Sequence, residues 1–120
     1  MRVKYEVMVN EFERVLKKYG FNEKNAKDAA QIFAQNSLAG VYSHGLNRFP
    51  RVIEYLQKGE IDPQVTADCV LSMGAFERWD GHRGFGPLNA KQAMDRAVEL
   101  AKQYGIGVVA LGNNNHWMRG

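Results

Sequence analysis

The hydrophobic pattern of this chain changes at Asp62-Pro63, and that change restricts the fold more than any other feature of the sequence. Before it, apolar residues recur at the three- and four-residue spacing of amphipathic helices. After it, they form short runs separated by glycines, which is the pattern of strands and tight turns. We therefore predict a helical segment over residues 1–62 and the beginning of an α/β domain over residues 63–120.

The first segment is expected to contain three helices. Gly20 suits the end of the first helix, Asn22 the N-cap of the second and Gly59 the end of the third. Pro50 is compatible with the third helix only in its first turn, because proline has no amide hydrogen to donate further along. The residues predicted to face inward from these helices are Met8, Val9, Phe12, Val15, Leu16, Tyr19, Ala26, Ala29, Ala30, Phe33, Ser37, Leu38, Phe49, Val52, Ile53 and Leu56.

The second segment is expected to begin with a β-hairpin that turns at Gly74. A fourth helix should start near Pro87 and end at Gly105, followed by the strand IGVVAL over residues 106–111. Because that strand is apolar at every position except glycine, we predict that it is buried on both faces of a sheet and that its partner strands lie outside this chain. The predicted fold class is α/β. The predicted inner face of the fourth helix comprises Ala90, Ala93, Met94, Ala97, Ala101 and Tyr104.

Composition and charge narrow the classes of function. A single cysteine, Cys69, excludes an intramolecular disulfide and a multi-cysteine zinc site, and the three histidines lack the local spacing of metal ligands. Sixteen Lys and Arg against thirteen Asp and Glu give a formal net charge of +3, with the cations scattered among acids, which disfavours nucleic-acid binding. No apolar run approaches the roughly 18 residues of a membrane span, and the start lacks a secretion signal. We expect a cytoplasmic protein without a metal.

The densest polar cluster is YSHGLNRFPR, residues 42–51. If this stretch enters the third helix, His44 and Arg48 are four residues apart and project from one face. Arginine holds a carboxylate through two hydrogen bonds, and a neighbouring histidine can exchange a proton with the oxygen on the adjacent carbon. Such a pair would suit an α-keto or α-hydroxy acid, with Ser43 bonded to the same oxygen or capping the helix. The alternative is a capped helix start with a solvated histidine and arginine.

A second candidate is NNNHWMRG at the end of the sequence, with His116 directly after the last predicted strand. Ligands of open α/β sheets bind at this end of the strands, although asparagines are also ordinary loop residues. The Gly84-Phe85-Gly86 turn before a helix is similar to part of a dinucleotide-binding motif. However, Asn89 replaces its third glycine and no strong parallel strand is expected to precede it, so we assign no cofactor site there.

Three stretches in this order, GVYSHGLNRFPR, WDGHRGFG with the helix and strand after it, and NNNHWMRG, resemble the type-2 malate/L-lactate dehydrogenase family. The resemblance covers essentially the whole chain. It implies a sheet domain that binds NAD or NADP without the Rossmann fold, with NADH as our preferred cofactor. It also implies that the full-length enzyme reduces the ketone of a small keto acid with hydride from the reduced nicotinamide.

The same resemblance implies roles for four residues. His44 would protonate the substrate carbonyl oxygen, Arg48 would anchor the substrate carboxylate, and Ser43 would lie against the same group. His116 would lie near nicotinamide and substrate, and because some relatives favour it as the acid–base residue, the choice between the two histidines stays open. The residues that bind the cofactor are expected mostly beyond residue 120.

Family members are longer than this chain and form dimers, so we expect the N-terminal portion of a homodimeric enzyme. A polypeptide of these 120 residues alone is expected to be inactive. The alternatives within the family are dehydrogenases acting on malate, lactate or ureidoglycolate. Outside it, the alternative is a non-catalytic helical binding or assembly module, in which the YSHG stretch is merely a cap.

Overall fold

A computed structural model of the chain describes residues 2–116, which divide into two compact units between Gln64 and Val65. Four helices and a three-stranded mixed sheet confirm the predicted α/β class. The first unit contains α1 (Tyr5–Lys18), α2 (Glu23–Leu38), a short 3-10 turn (Tyr42–His44) and α3 (Phe49–Gln57). The second contains β1 (Asp68–Met73), β2 (Phe76–Asp80), α4 (Gly86–Tyr104) and β3 (Val108–Gly112). Within the described part of the chain, no helix is long and apolar enough to cross a membrane.

The helix boundaries in the first unit follow local signals in the sequence. Asn22 caps α2, since its side-chain oxygen accepts a hydrogen bond from the Asn25 amide at 2.8 Å. Gly20, just after α1, has φ +102°, a conformation that other residues rarely adopt. Pro50 lies in the first turn of α3, as predicted. The three predicted helices are therefore confirmed.

Three phenylalanine rings form the centre of the first unit. Phe12 stacks on Phe49 with ring centroids 4.4 Å apart, and Phe33 meets Phe49 edge-on at 5.1 Å. Their burial confirms the predicted helix faces at these positions. Leu38 is an exception at 69% exposed, because α2 ends at that residue and the chain turns away through Ala39 and Gly40.

The sheet of the second unit has the order β1-β2-β3. Strands β1 and β2 form the predicted antiparallel hairpin, with Gly74 at φ +61° in its turn. Strand β3 pairs in parallel with β2, from Phe76 opposite Val108 to Asp80 opposite Gly112. Our expectation that the partner strands of β3 lie outside the chain is therefore wrong for this neighbour. Because β2, α4 and β3 form a β-α-β unit, a parallel strand does precede the Gly84–Gly86 turn.

The burial of α4 and β3 differs from the sequence prediction. Residues of β3 alternate between exposed and half-buried, so this strand is not buried on both faces within the described chain. In α4, Ala93 and Leu100 are buried, whereas Met94 and Tyr104 are 65% and 50% exposed. The buried face of α4 is therefore rotated about the helix axis relative to the predicted one. Alanine and methionine at helical spacing do not define which face of a helix is buried.

Candidate active site

The YSHG stretch does not enter α3. His44 ends the 3-10 turn, and residues 45–48 form a further turn, with Arg48 as the N-cap of α3. The predicted arrangement of His44 and Arg48 one turn apart on a single helix is therefore wrong. Gly45 causes the difference, because its backbone (φ −105°, ψ −124°) is not helical and separates the two residues.

Ser43 nevertheless joins the two side chains. Its hydroxyl lies 2.9 Å from His44 Nδ1, and its backbone oxygen accepts a long hydrogen bond (3.4 Å) from Arg48 Nε. The Ser43 hydroxyl can donate to Nδ1 of a neutral imidazole or accept from Nδ1 of an imidazolium. In both of these arrangements the His44 ring carries a hydrogen on Nε2. The structure thus brings Ser43, His44 and Arg48 into one cluster, in which Ser43 is exposed and the other two are half-buried.

The end of α2 holds this cluster in place. Asn36, only 8% exposed, donates from Nδ2 to the backbone oxygen of His44 at 3.0 Å. Ser37 Oγ accepts a hydrogen bond from the Leu46 amide at 2.9 Å. A side chain at Gly45 would collide with Ser37, so glycine there permits the close approach of the two backbone segments. We define Ser43, His44 and Arg48 with these supports as the SHG cluster.

His116 lies in the second unit, after the carboxyl end of β3, as the sequence predicted. The loop after β2 runs alongside the end of β3 and the residues that follow it. Two backbone hydrogen bonds join them: the Gly81 amide donates to the Gly112 oxygen at 2.8 Å, and the Arg83 amide donates to the Asn113 oxygen at 2.9 Å. We call residues 113–116 the strand-end segment. The rest of the NNNHWMRG motif, from Trp117 on, lies outside the described residues.

Sequence reasoning missed the ionic group beside this segment. His82 Nε2 lies 2.7 Å from Asp68 Oδ1, and the His82 amide donates to Asp80 Oδ1 at 2.8 Å. The hydrogen bond with Asp68 raises the pKa of His82. The His82 amide and then the Asn113 side chain lower the pKa of Asp80. The loop has positive φ angles at His82 and Arg83, +51° and +57°. Nothing in these two residue types indicates that conformation, so the sequence did not reveal the contact.

The glycines before α4 do not form a cradle for a dinucleotide phosphate. A Cβ at Gly84 would meet the Val65 oxygen and Asn89 Nδ2 at 3.0 Å, and one at Gly86 would collide with the backbone oxygens of Asn115 and His116. The chain itself therefore fills the space that these glycines open, which leaves no room there for the pyrophosphate of NAD. Within residues 2–116, no three His, Cys, Asp or Glu side chains gather as metal ligands.

Solved structures of dehydrogenases share this architecture. The chain superposes on sulfolactate dehydrogenase from Methanocaldococcus jannaschii with a TM-score of 0.94 and 39% identity, over 98% of this chain and 34% of that one. A putative malate/lactate dehydrogenase from E. coli gives 0.95 and 33%, over 99% of this chain and 33% of that one.

The sequence comparison identifies the family. The profile described as malate/L-lactate dehydrogenase matches residues 3–120, and the chain belongs to that family. It is 54% identical over all 120 residues to the 2,3-diketo-L-gulonate reductase of Pasteurella multocida and 52% identical to that of Haemophilus influenzae. It spans 36% of the length of each of these relatives.

Proposed function

We propose that this chain carries the substrate-binding and proton-donating residues of an oxidoreductase that reduces the ketone of a small keto acid. The observation that supports this most directly is the placement of His44 and Arg48 about one serine, Ser43. A guanidinium and an imidazole held together in this way can bind a carboxylate and protonate the oxygen on the next carbon.

The substrate that we favour is 2,3-diketo-L-gulonate. The two relatives named above that are more than half identical to this chain carry that substrate in their names. The alternatives are malate, lactate or ureidoglycolate as the hydroxy-acid partner, and relatives of known structure are named for malate and sulfolactate. All of these except ureidoglycolate form keto acids on oxidation, and the SHG cluster is suited to their shared carboxylate.

In the proposed reaction, Arg48 binds the substrate carboxylate, and His44 donates its Nε2 proton to the carbonyl oxygen. Reduced nicotinamide, with NADH preferred, supplies the hydride when bound. Ser43 orients the imidazole through Nδ1 and, through its backbone oxygen, the guanidinium. Fixed orientation of the reacting groups can lower the activation free energy by several kcal/mol. In ideally oriented reactions the reduction is about 7 kcal/mol or more. His116 is the second candidate for the proton donor.

Substitution of Arg48 tests the proposal. In the complete gene product that contains these residues, Arg48→Ala should raise the KM for 2,3-diketo-L-gulonate about 10- to 100-fold, because a charge-assisted carboxylate contact is lost. The dissociation constant of NADH should stay unchanged. Arg51→Ala, an exposed arginine three residues further along α3, is the matched control and should leave both constants unchanged.

His44→Ala should lower kcat by about 10²- to 10⁴-fold with a smaller change in KM, since general acid catalysis contributes on that scale. Consumption of NADH followed with each keto acid gives kcat and KM, and fluorescence titration gives the NADH affinity. If His44→Ala keeps kcat, His116 is the favoured proton donor. If the complete gene product reduces no keto acid and His44→Ala changes only its stability, the non-catalytic module is favoured instead. Equal weakening of NADH binding by Arg48→Ala would contradict the role assigned to that residue.

We also propose that the active form is a homodimer. The proposal follows from the family resemblance. The exposed apolar side chains of the second unit, including Met73, Ile106 and Val108, provide a surface for a second copy or for the rest of the complete gene product to cover. Sedimentation equilibrium of the complete gene product should give twice its chain mass, and a monomer with full activity would contradict this.

A further inference from the structure

We propose that Asn89 is a positioning residue for this reaction, which holds through Asn114 the segment of backbone that bears His116. The inference rests on the proposed function, because it requires His116 to act at the substrate. It assigns a role to a residue that the sequence showed only as a departure from a glycine motif.

Asn89 lies in the first turn of α4 and is 1% exposed. Its Oδ1 accepts a hydrogen bond from the Ala67 amide at 2.9 Å. Its Nδ2 donates to the Gly81 oxygen at 3.0 Å and to Asn114 Oδ1 at 2.9 Å. If the amide oxygen and nitrogen of Asn89 were exchanged, its NH₂ group would face the Ala67 amide, and its oxygen would face the oxygens of Gly81 and Asn114. The surroundings therefore select one orientation of the side chain.

Besides the hydrogen bond from the Arg83 amide to the Asn113 oxygen, further contacts hold the strand-end segment to the rest of the second unit. Asn113 has φ +50° and donates from Nδ2 to Asp80 Oδ1 at 3.0 Å. Asn114 accepts from Asn89, and the backbone at Asn115 and His116 passes so close to Gly86 that no side chain fits there. The three consecutive asparagines are thus explained in part as attachments that precede His116.

The contact through Asn89 differs in its burial from the contact between Asp80 and Asn113. Asp80 and Asn113 meet at the surface, where water can replace a lost partner. Asn89 is shielded from water, so its amide hydrogens have no equivalent alternative to the Gly81 and Asn114 oxygens. A buried side chain with both donors engaged therefore defines where Asn114, and with it the backbone two residues before His116, can lie.

Asn89→Ala and Asn114→Ala test the inference in the complete gene product. Each should lower kcat for the keto acid about 10- to 100-fold, because a displacement of about 1 Å in a reacting group costs rate on this scale. The double variant should lose no more than the larger single loss, since both substitutions remove the same contact. Additive losses would overturn the proposal.

Leu100→Ala is the matched control for stability. Leu100 is 2% exposed in the same helix but packs near Gly107, away from the strand-end segment. It should lower the melting temperature at least as much as Asn114→Ala while leaving kcat within about twofold. If Leu100→Ala lowers kcat as strongly, the effect is one of general stability and the proposal fails.

Two outcomes separate this inference from the proposed function. If His116→Gln impairs reduction and the Asn114 and Asn89 variants do not, the positioning role alone is wrong. If neither His116→Gln nor His44→Ala affects reduction, the proposed function fails instead. Should Asn89→Ala not fold, Asn114→Ala decides the matter, because Asn114 is only half-buried and lies outside the helices and strands.

Discussion

The two units of the chain hold their candidate histidines by similar means but are stabilised differently. In each, a buried asparagine binds the segment that bears the histidine, Asn36 to His44 itself and Asn89 to Asn114. The core of the first unit is built from stacked and edge-on aromatic rings. The second has a smaller apolar core with ionic and amide groups within it. The contrast indicates that apolar burial dominates the stability of the first unit, whereas the second also depends on protonation states.

The clearest ionic contact of the second unit joins β2 to α4. Glu77, 3% exposed, accepts hydrogen bonds from Arg96 at 2.7 and 3.0 Å and from Trp79 Nε1 at 2.9 Å. The hydrogen bonds from Arg96 lower the pKa of Glu77, and the bond from Trp79 adds to the effect. In the first unit, by contrast, the ion pairs lie on helix surfaces, as with Glu11 and Arg14. Pairs of that kind contribute little.

The largest expected effect is the loss of an aromatic ring from the first unit. Phe33→Ala should reduce the free energy of unfolding by about 3–5 kcal/mol, because it leaves a cavity beside Phe12 and Phe49. Phe76→Ala, at a position that is 37% exposed in β2, is the matched control and should cost less than half as much. Urea unfolding measures both. Equal losses would break the distinction between the two cores.

An intermediate effect is expected from Glu77→Gln, with a dependence on pH that identifies its cause. Because the folded pKa of Glu77 is lowered, its stabilising contribution is complete above the ordinary value of 4.5 and is lost as the pH falls through the folded pKa. The difference in unfolding free energy between wild type and variant should therefore be largest near neutral pH and shrink in acid. Hydrogen exchange at amides of β2 and α4 would localise the effect.

Glu11→Gln serves as the control for that experiment, since Glu11 pairs with Arg14 on an exposed face of α1. It should leave exchange in β2 and α4 unchanged at every pH. A difference for Glu77→Gln that stays constant down to strongly acidic pH would show that charge is not the source of its contribution.

The smallest effect is expected at His82. Since the hydrogen bond with Asp68 raises the pKa of His82, its contribution is complete below about pH 6.5 and is lost as the pH rises through the folded pKa. His82→Gln should therefore be less stable than wild type in mild acid and equal to it in alkali. Asp68→Asn should abolish most of the same pH dependence. Thermal unfolding across this range provides the measurement, and an opposite trend would contradict the ion pair.

Several local structures around the candidate residues were predictable because their signals are local. The SHG motif, the capping Asn22 and the strand before His116 each depend on residues within a few positions of one another. The shared helix for His44 and Arg48 was wrong, because the tertiary contact of Gly45 with Ser37 overrides continuous helical spacing. The network about Asn89 could not be predicted, since its partners Ala67 and Asn114 lie 22 and 25 residues away.

The amino-acid sequence by itself determined the four α-helices, the three strands, the main helix boundaries and the family to which the chain belongs. These depend on periodicity and on turn residues, which act over one or two turns of chain. Only the tertiary structure decided the parallel pairing of β2 with β3, the orientation of α4 and the anchoring of His116. The strand pairing depends on which distant backbone groups meet, and because every residue carries those groups the side-chain pattern does not reveal it. The other two depend on side chains that are far apart in the sequence and meet only in the folded chain.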